Sequence, residues 1–215
     1  MLNFWKAGLL IYPAVLIQKS KFMKEKILLI GGGGHCRACI DVLEKENKFK
    51  IGGIVDKKEL IGQKVLGYKV IASDEDLKFL KKDYKYAFIS VGQLHNFNNR
   101  MKIFEMLKNI GFEIPIIVSP FAYISKYTII EEGTIIMHHA LINSNAKIGK
   151  NCIINTKSLI EHDAVIGDFC HISTGAIING GVNIGSCTFI GSGTITKQYI
   201  SIPDKSFIKA GSLIK

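Results

Sequence analysis

The tripeptide Glu161-His162-Asp163 carries the clearest capacity for chemistry in this chain of 215 residues. A neutral imidazole, which ordinarily titrates near ~6.5, can take a proton from an attacking amine or hydroxyl at neutral pH. A carboxylate beside it fixes the ring tautomer and stabilises the imidazolium that forms. The bland alternative for His162 is a solvated corner residue. A second histidine, His171, follows shortly after; by residue type alone it is either a ligand contact or a surface side chain. A different chemistry is offered by Gly31 to Gly34 with His35. Glycines there let the backbone approach an anion, and a helix starting at that point supplies free N–H groups and a positive dipole end. Asp56 falls where a ribose partner would sit, and Gly92 ends a further apolar run. The dinucleotide fingerprint is incomplete, because Cys36 stands where the third glycine would be when counting from Gly31. An anion-binding loop and a plain strand-to-helix turn both remain open on the spacing.

The elements that must hold these residues are of two kinds. Every sixth residue from Val118 to Ile214 is apolar or threonine, and fifteen of those seventeen positions are isoleucine. Two places earlier the side chain is usually small, as at Ala140, Ala146, Cys152, Ser158, Ala164, Cys170 and Ala176; glycine often follows, at Gly149, Gly167, Gly185 and Gly191. A period of six fits neither a helix nor a half-buried strand. It fits short strands wound into a three-sided solenoid whose corners need residues tolerant of unusual backbone angles. Residues eighteen apart then stack about 4.8 Å from one another, so Ile142, Ile160 and Ile178 form an interior ladder and Cys152 and Cys170 a rung pair. His162, two places after Ile160, falls at or near a corner and points outward.

Before Val118 the period is absent. Lys26–Ile30 and Ile51–Val55 read as strands around an amphipathic Cys36–Glu46 helix, a βαβ opening. Asp74–Lys82 reads as a helix, Tyr86–Val91 as a strand, Asn96–Ile110 as a helix stopped by Gly111, and Glu113–Val118 as a last strand. The expected organisation is an extension over residues 1–22, a Rossmann-like α/β substrate-binding domain over 23–118, and an all-β solenoid over 119–215. The strand ends at Gly31–His35, Asp56 and Gly92 converge on one edge of the sheet, where open α/β sheets bind ligands.

Composition narrows the partners. The formal net charge of +10 suits an anionic ligand such as a nucleotide or coenzyme A. No long basic run or basic-aromatic interleave points to nucleic acid. Five cysteines without close pairing argue for a reducing, cytoplasmic setting. Phe4–Ile17 is apolar but short of the ~20 residues that span a bilayer, and it lacks a cleavage site. Met23 begins a stretch with the look of a natural start, and a membrane contact by residues 1–22 is disfavoured.

Three segments carry a resemblance: Gly31-Gly32-Gly33-Gly34-His35; Asn155-Thr156 with Ile160-Glu161-His162-Asp163; and Ile166-Gly167-Asp168-Phe169-Cys170-His171-Ile172. Together with the six-residue code they resemble bacterial sugar O- or N-acetyltransferases of surface-glycan biosynthesis. These include the sialic acid O-acetyltransferases and the UDP-amino-sugar acetyltransferases of the bacillosamine pathway. The resemblance implies a left-handed parallel β-helix after the Rossmann-like domain, and acetyl-CoA as co-substrate. It implies a homotrimer with the coenzyme in the groove between adjacent solenoids, and direct transfer without a metal. It also assigns roles by position. His162 is the general base, with Asp163 raising its basicity. His171 contacts acetyl-CoA or the thioester oxygen, and backbone N–H groups at Ser192 and Ala210 hold the pantetheine arm. Gly33, Gly34, His35, Asp56 and Gly92 receive the sugar or nucleotide-sugar. The chain departs from the family in ending at Leu213-Ile214-Lys215 without a Gly-x-Pro-Ala tail, which bears on the adenine end of the coenzyme site. Two other readings remain: a zinc hydratase using three of His138, His139, His162 and His171, and an oxidoreductase built on the glycine loop.

Overall fold

The computed structural model describes residues 24–94 and 96–215. The expectations for residues 1–22 lie outside the described residues. The first unit runs β1 (Lys26–Ile30), α1 (Gly34–Glu46), β2 (Lys50–Val55), β3 (Lys64–Val65), β4 (Tyr68–Ala72), α2 (Leu77–Leu80), β5 (Tyr86–Ile89) and α3 (Asn98–Ile110). Its sheet has the order β3-β4-β2-β1-β5. All pairs are parallel except β3 with β4, which makes the sheet mixed. Because β1 lies between β2 and β5, the winding reverses beside it, and such a switch point opens a crevice at the carboxyl ends of the strands.

Local chemistry explains where the elements begin and end. Gly31 makes the turn out of β1 at φ +100, and a Cβ there would lie 2.4 Å from Val91 Cγ2. The helix then starts at Gly34, with Gly33 as an N-cap that offers no side chain. The expected Asp74–Lys82 helix is a 3₁₀ turn over Asp74–Asp76 followed by the short α2. The strand expected over Glu113–Val118 reduces to Ile117–Val118, which pairs with Ile135–Ile136 and so opens the solenoid. Pro115 accounts for the break, since it has no N–H to give a ladder; Glu113 keeps only a bridge to Tyr86.

From Ile117–Val118 to Leu213–Ile214, two-residue strands form three parallel sheets, the first and second of six strands and the third of five. The first sheet contains Ile117–Val118 and His171–Ile172, the second Leu141–Ile142 and Leu159–Ile160, the third Lys147–Ile148 and Val165–Ile166. Register is eighteen residues, with Ile142 opposite Ile160 and Ile160 opposite Ile178. Those three isoleucines are fully buried among Ala140, Ala146, Cys152, Ala164 and Cys170. Each buried isoleucine contributes about 1.5–3 kcal/mol, which outweighs the ~1 kcal/mol cost of one left-handed corner residue. Those corner residues recur every six positions and are mostly not glycine: His139, Asn145, Asn151, Lys157, Asp163, Phe169, Cys187, Tyr199 and Lys205. The glycines that follow the isoleucines serve close approach instead. A Cβ on Gly149, Gly167, Gly185 or Gly191 would come within 2.3 to 2.6 Å of the next coil.

The α/β unit sits on the solenoid's first sheet and along one of its corners. Cys36, Cys39 and Ile40 of α1 pack with Ile117, Ile135, Met137 and Ile153. Helix α3 lies beside the corner residues of successive coils. Phe104 approaches Gly133, Arg100 bonds Asn151, the Phe104 ring meets Phe169 edge-on at 5.5 Å, and Met101 Sδ is 3.8 Å from Cys187 Sγ.

Candidate active site

His162 and Asp163 occupy the corner between the second and third sheets, as their place in the repeat predicts. The His162 ring is about half exposed, and its Nδ1 lies 2.8 Å from Asp163 Oδ2. The Asn145 amide donates to Asp163 Oδ1 at 2.7 Å from the coil below. Those hydrogen bonds, Asn145 first and His162 next, hold the Asp163 carboxyl below the usual carboxylate range. Glu161 turns the other way: Oε2 accepts from the Asn143 amide at 2.8 Å and from the His162 backbone N–H at 3.2 Å. Asp163 is therefore the carboxylate on the ring, and it orients the far nitrogen, Nε2, as the proton acceptor.

Gly180, one coil above His162, stands against the ring and was not singled out from the sequence. A Cβ there would lie 2.8 Å from both Cε1 and Nε2 of the imidazole, so only glycine leaves the ring its place. Its N–H has no hydrogen-bond partner within the described chain, while its carbonyl accepts from Tyr199 N at 3.0 Å. The available signal was the eighteen-residue register, which stacks 162 under 180.

The glycine loop lies at the opposite unit's sheet edge. Cβ atoms on Gly33 and Gly34 would meet nothing within 4 Å, so the first turn of α1 is open above its uncapped N–H groups. Asp56 Oδ2 accepts from Gly32 N at 2.5 Å and Oδ1 from Lys57 N at 2.7 Å, which holds the loop against β2. Beside it is a cavity of about 370 Å³ lined by Gly31, Asp56, Lys57, Asp74, Val91 and Lys102 among others. Burial, and then the Asp56 charge, raise the Asp74 carboxyl. Gly92 abuts His35, its would-be Cβ 3.3 Å from His35 Cβ. His35 Nε2 is buried and has no partner among the described residues, and desolvation, then Arg100, then His171 push the ring down to about 3.

His171 belongs with this second group. It stands on the first sheet facing the α/β unit and is 7% exposed, where a surface histidine was the alternative reading. Nδ1 lies 2.6 Å from the Gln93 carbonyl and Nε2 3.1 Å from the Asn155 amide nitrogen. A carbonyl only accepts and an amide N–H only donates, so the ring is the neutral Nδ1–H tautomer. Burial, with Arg100 adding to it, lowers its pKa to about 4. Ser192 and Ala210 stack in adjacent coils at a third place, the corner between the first and second sheets, and neither N–H has a partner within the described chain. Within one subunit the expected residues thus form three groups, of which two flank the second sheet. Among the described residues no three His, Cys, Asp or Glu side chains are grouped to hold a metal ion. His138 is held between Ser119 and Asp41, at 2.6 and 2.8 Å.

With this geometry in place, likeness to known proteins becomes informative. The PglD N-terminal domain family matches residues 26–107, and the bacterial transferase hexapeptide family, of six repeats, matches residues 127–162. A histidine-to-asparagine variant of perosamine N-acetyltransferase from Caulobacter crescentus, in complex with CoA and GDP-perosamine, is 27% identical with a TM-score of 0.83, covering 88% of each chain. The acetyltransferase domain of PglB from Neisseria gonorrhoeae, with acetyl coenzyme A, is 27% identical at a TM-score of 0.80, covering 89% of this chain and 93% of that one. The chain thus carries a PglD N-terminal domain and bacterial transferase hexapeptide repeats, and its fold is similar to that of sugar N-acetyltransferases. WeeI from Acinetobacter baumannii, 23% identical over 88% of this chain and 96% of that one with a TM-score of 0.68, shares the fold. The chain presents an exposed imidazole on the solenoid and an open glycine loop on the α/β unit. Among the described residues no helix is long and apolar enough to cross a membrane.

Proposed function

We propose that the protein moves the acetyl group of acetyl-CoA to the amino group of a nucleotide-linked amino sugar in the cytoplasm, with His162 as general base. The carrying observation is the half-exposed His162–Asp163 pair at 2.8 Å, with Gly180 clearing the ring. The amine nitrogen attacks the thioester carbonyl while His162 Nε2 takes its proton; the carbon–sulfur bond then breaks and the coenzyme thiolate leaves, to be protonated. The unpartnered Gly180 N–H is available to the oxyanion that develops. His171, neutral and with Nε2 accepting from Asn155, serves by ordering the Asn155 amide beside the coenzyme; in this tautomer it does not donate to a thioester oxygen. The open α1 N-terminus suits the phosphates of a nucleotide sugar, and the cavity at Asp56 suits its nucleoside. The perosamine enzyme's pairing with GDP-perosamine supports that acceptor class over a free sialic-acid-type sugar.

A homotrimer completes the site on this reading. The outer positions of the second sheet read Tyr123, Leu141, Leu159, Ile177, Ile195 and Leu213, an unbroken apolar ladder. Tyr123 and Leu213 are about 60% exposed. That ladder is flanked by the His162 corner on one side and the Ser192–Ala210 corner on the other. Packing it against neighbours brings one subunit's imidazole to the next one's pantetheine-holding N–H groups. The test is thiol release from acetyl-CoA with a panel of UDP- and GDP-amino sugars and sialic-acid-type sugars. An amino sugar nucleotide should be turned over, and His162→Ala should lose on the order of a hundredfold or more while staying folded. Near-normal turnover by that variant overturns the assignment.

A further inference from the structure

Arg100 is fully buried and has no carboxylate partner among the described residues. Its guanidinium instead spans two structural units. Nη1 donates to the carbonyls of Ile89 and Val91 at 3.2 and 2.6 Å; Nη2 donates to the carbonyl and the side-chain Oδ1 of Asn151 at 2.9 and 2.5 Å. Val91 is a wall of the cavity at the carboxyl end of the sheet. Asn151 is a left-handed corner residue on the same turn of the solenoid as His162. A buried ion held only by neutral dipoles is a poor way to gain stability, since a well-packed apolar side chain often does as well or better. What an apolar side chain cannot do is bond both units at once. Lysine cannot either, because its ammonium is one point where the guanidinium is a planar fork.

We propose that Arg100 is a positioning residue for acetyl transfer: its fork sets the gap between the acceptor cavity and the solenoid on which the imidazole and the coenzyme site are built. Whichever subunit supplies the imidazole, the seat of the α/β unit on its own solenoid decides where the acceptor amine stands. Gln93 reinforces the same seam. Its side-chain amide donates to the Phe169 carbonyl at 2.8 Å, and its own carbonyl accepts from His171. Phe169 is the corner residue one coil above Asn151. Arg100 carries the larger part because it bonds the strand end and the corner directly. The proposal rests on the acetyl-transfer reading above for its kinetic consequence, and on the seam alone for its structural one.

The experiment compares the full chain with Arg100→Met and Arg100→Lys, and with Asn151→Ala. Asn151→Ala removes one acceptor while leaving the buried cation its three carbonyls. Three measurements are made: thiol-release kinetics for acceptor KM and kcat, calorimetry for acetyl-CoA affinity, and hydrogen exchange of residues 86–94. The expected result is a tenfold or greater rise in acceptor KM, acetyl-CoA affinity within twofold of the parent, and exchange at 86–94 at least tenfold faster. Asn151→Ala should show the same pattern at smaller size, and it carries the test if neither Arg100 variant folds. A folded variant with parental KM and parental exchange overturns the proposal. So does an equal loss of acetyl-CoA and acceptor binding, which marks a merely structural residue. Failure of the parent protein to release thiol with any sugar would count against the acetyl-transfer reading, while the exchange comparison would still decide the clamp.

Discussion

Gly180→Ala separates the chemistry of this site from the stability of its scaffold. The added methyl would stand 2.8 Å from Cε1 and Nε2 of His162, about 0.6 Å inside ordinary contact, so the ring has to withdraw by that much. Withdrawal costs little in folding free energy, because the ring is about half exposed and Gly180 does not use a left-handed φ. Stability should stay within about 0.5 kcal/mol of the parent. Catalysis is less forgiving: a shift near 1 Å costs roughly a hundredfold when a reacting group is displaced. A fall of about ten- to a hundredfold in kcat is expected, with acetyl-CoA affinity retained. Gly111→Ala is the opposite case. Gly111 ends α3 at φ +96, and a Cβ there meets only Lys81 Cε at 3.7 Å, so the substitution costs backbone strain. About 1 kcal/mol of stability should be lost and turnover kept. Thermal melts and thiol-release kinetics on the two variants check both expectations. A Gly180→Ala protein with parental kcat would show that the imidazole does not sit over Gly180 during transfer, and the reasoning would fail.

Three further outcomes rest on the same structure. Asp163→Asn puts an amide where a carboxylate now accepts from the ring, and kcat should fall on the order of tenfold to a thousandfold, measured alongside an unchanged melting curve. Stability should fall in mild acid: His171 stays neutral in the fold down to about pH 4, whereas the unfolded chain protonates it near 6.5. The unfolded state therefore binds the extra proton, and stability present above 6.5 is lost as pH drops toward 4, by up to about 3 kcal/mol; urea titrations at pH 7 and 5 should show a shallower loss in His171→Asn. Leu159→Glu places a charge in the middle of the second sheet's apolar ladder; if the proposed trimer packs through that ladder, sedimentation should show monomers while the solenoid remains folded.

How far the sequence reaches is set by the range of the interaction concerned. The solenoid was legible because the rule that builds it is local and repeats: Ile142, Ile160 and Ile178 are buried in register as the period requires. His162 was legible for the same reason, since its offset from Ile160 puts it at a corner. The glycine turn was only partly legible; the residue that sterics demand is Gly31 against Val91, while Gly33 and Gly34 are open. What the period could not show is contact between units. His171 has the same repeat position as outward-facing residues, and nothing local marks its sheet as the one the α/β unit covers. Arg100 reads as an ordinary helix cation; only the fold reveals that it is buried and held by carbonyls and an amide, with no carboxylate of the described residues reaching it.

The arrangement of the three corners explains why one chain holds all the parts without holding them together. A triangular coil presents each corner to a different neighbour: the corner of Asn151 and Phe169 takes α3, the corner of His162 faces outward, and the corner of Ser192 and Ala210 faces outward on the other side of the apolar sheet. With the first corner used up by the chain's own α/β unit, the remaining two can meet only across copies. In the proposed trimer, a groove between solenoids has an imidazole on one wall and the Ser192 and Ala210 N–H groups on the other, with no loop needed to build it. The same geometry makes the α/β unit's seat critical, because it is the one component whose position the coil does not fix. In a repeat protein of this kind, rigidity along the axis comes from the isoleucine ladder, while the seat of the α/β unit combines the apolar seam of α1 on the first sheet with the polar bonds of Arg100 and Gln93.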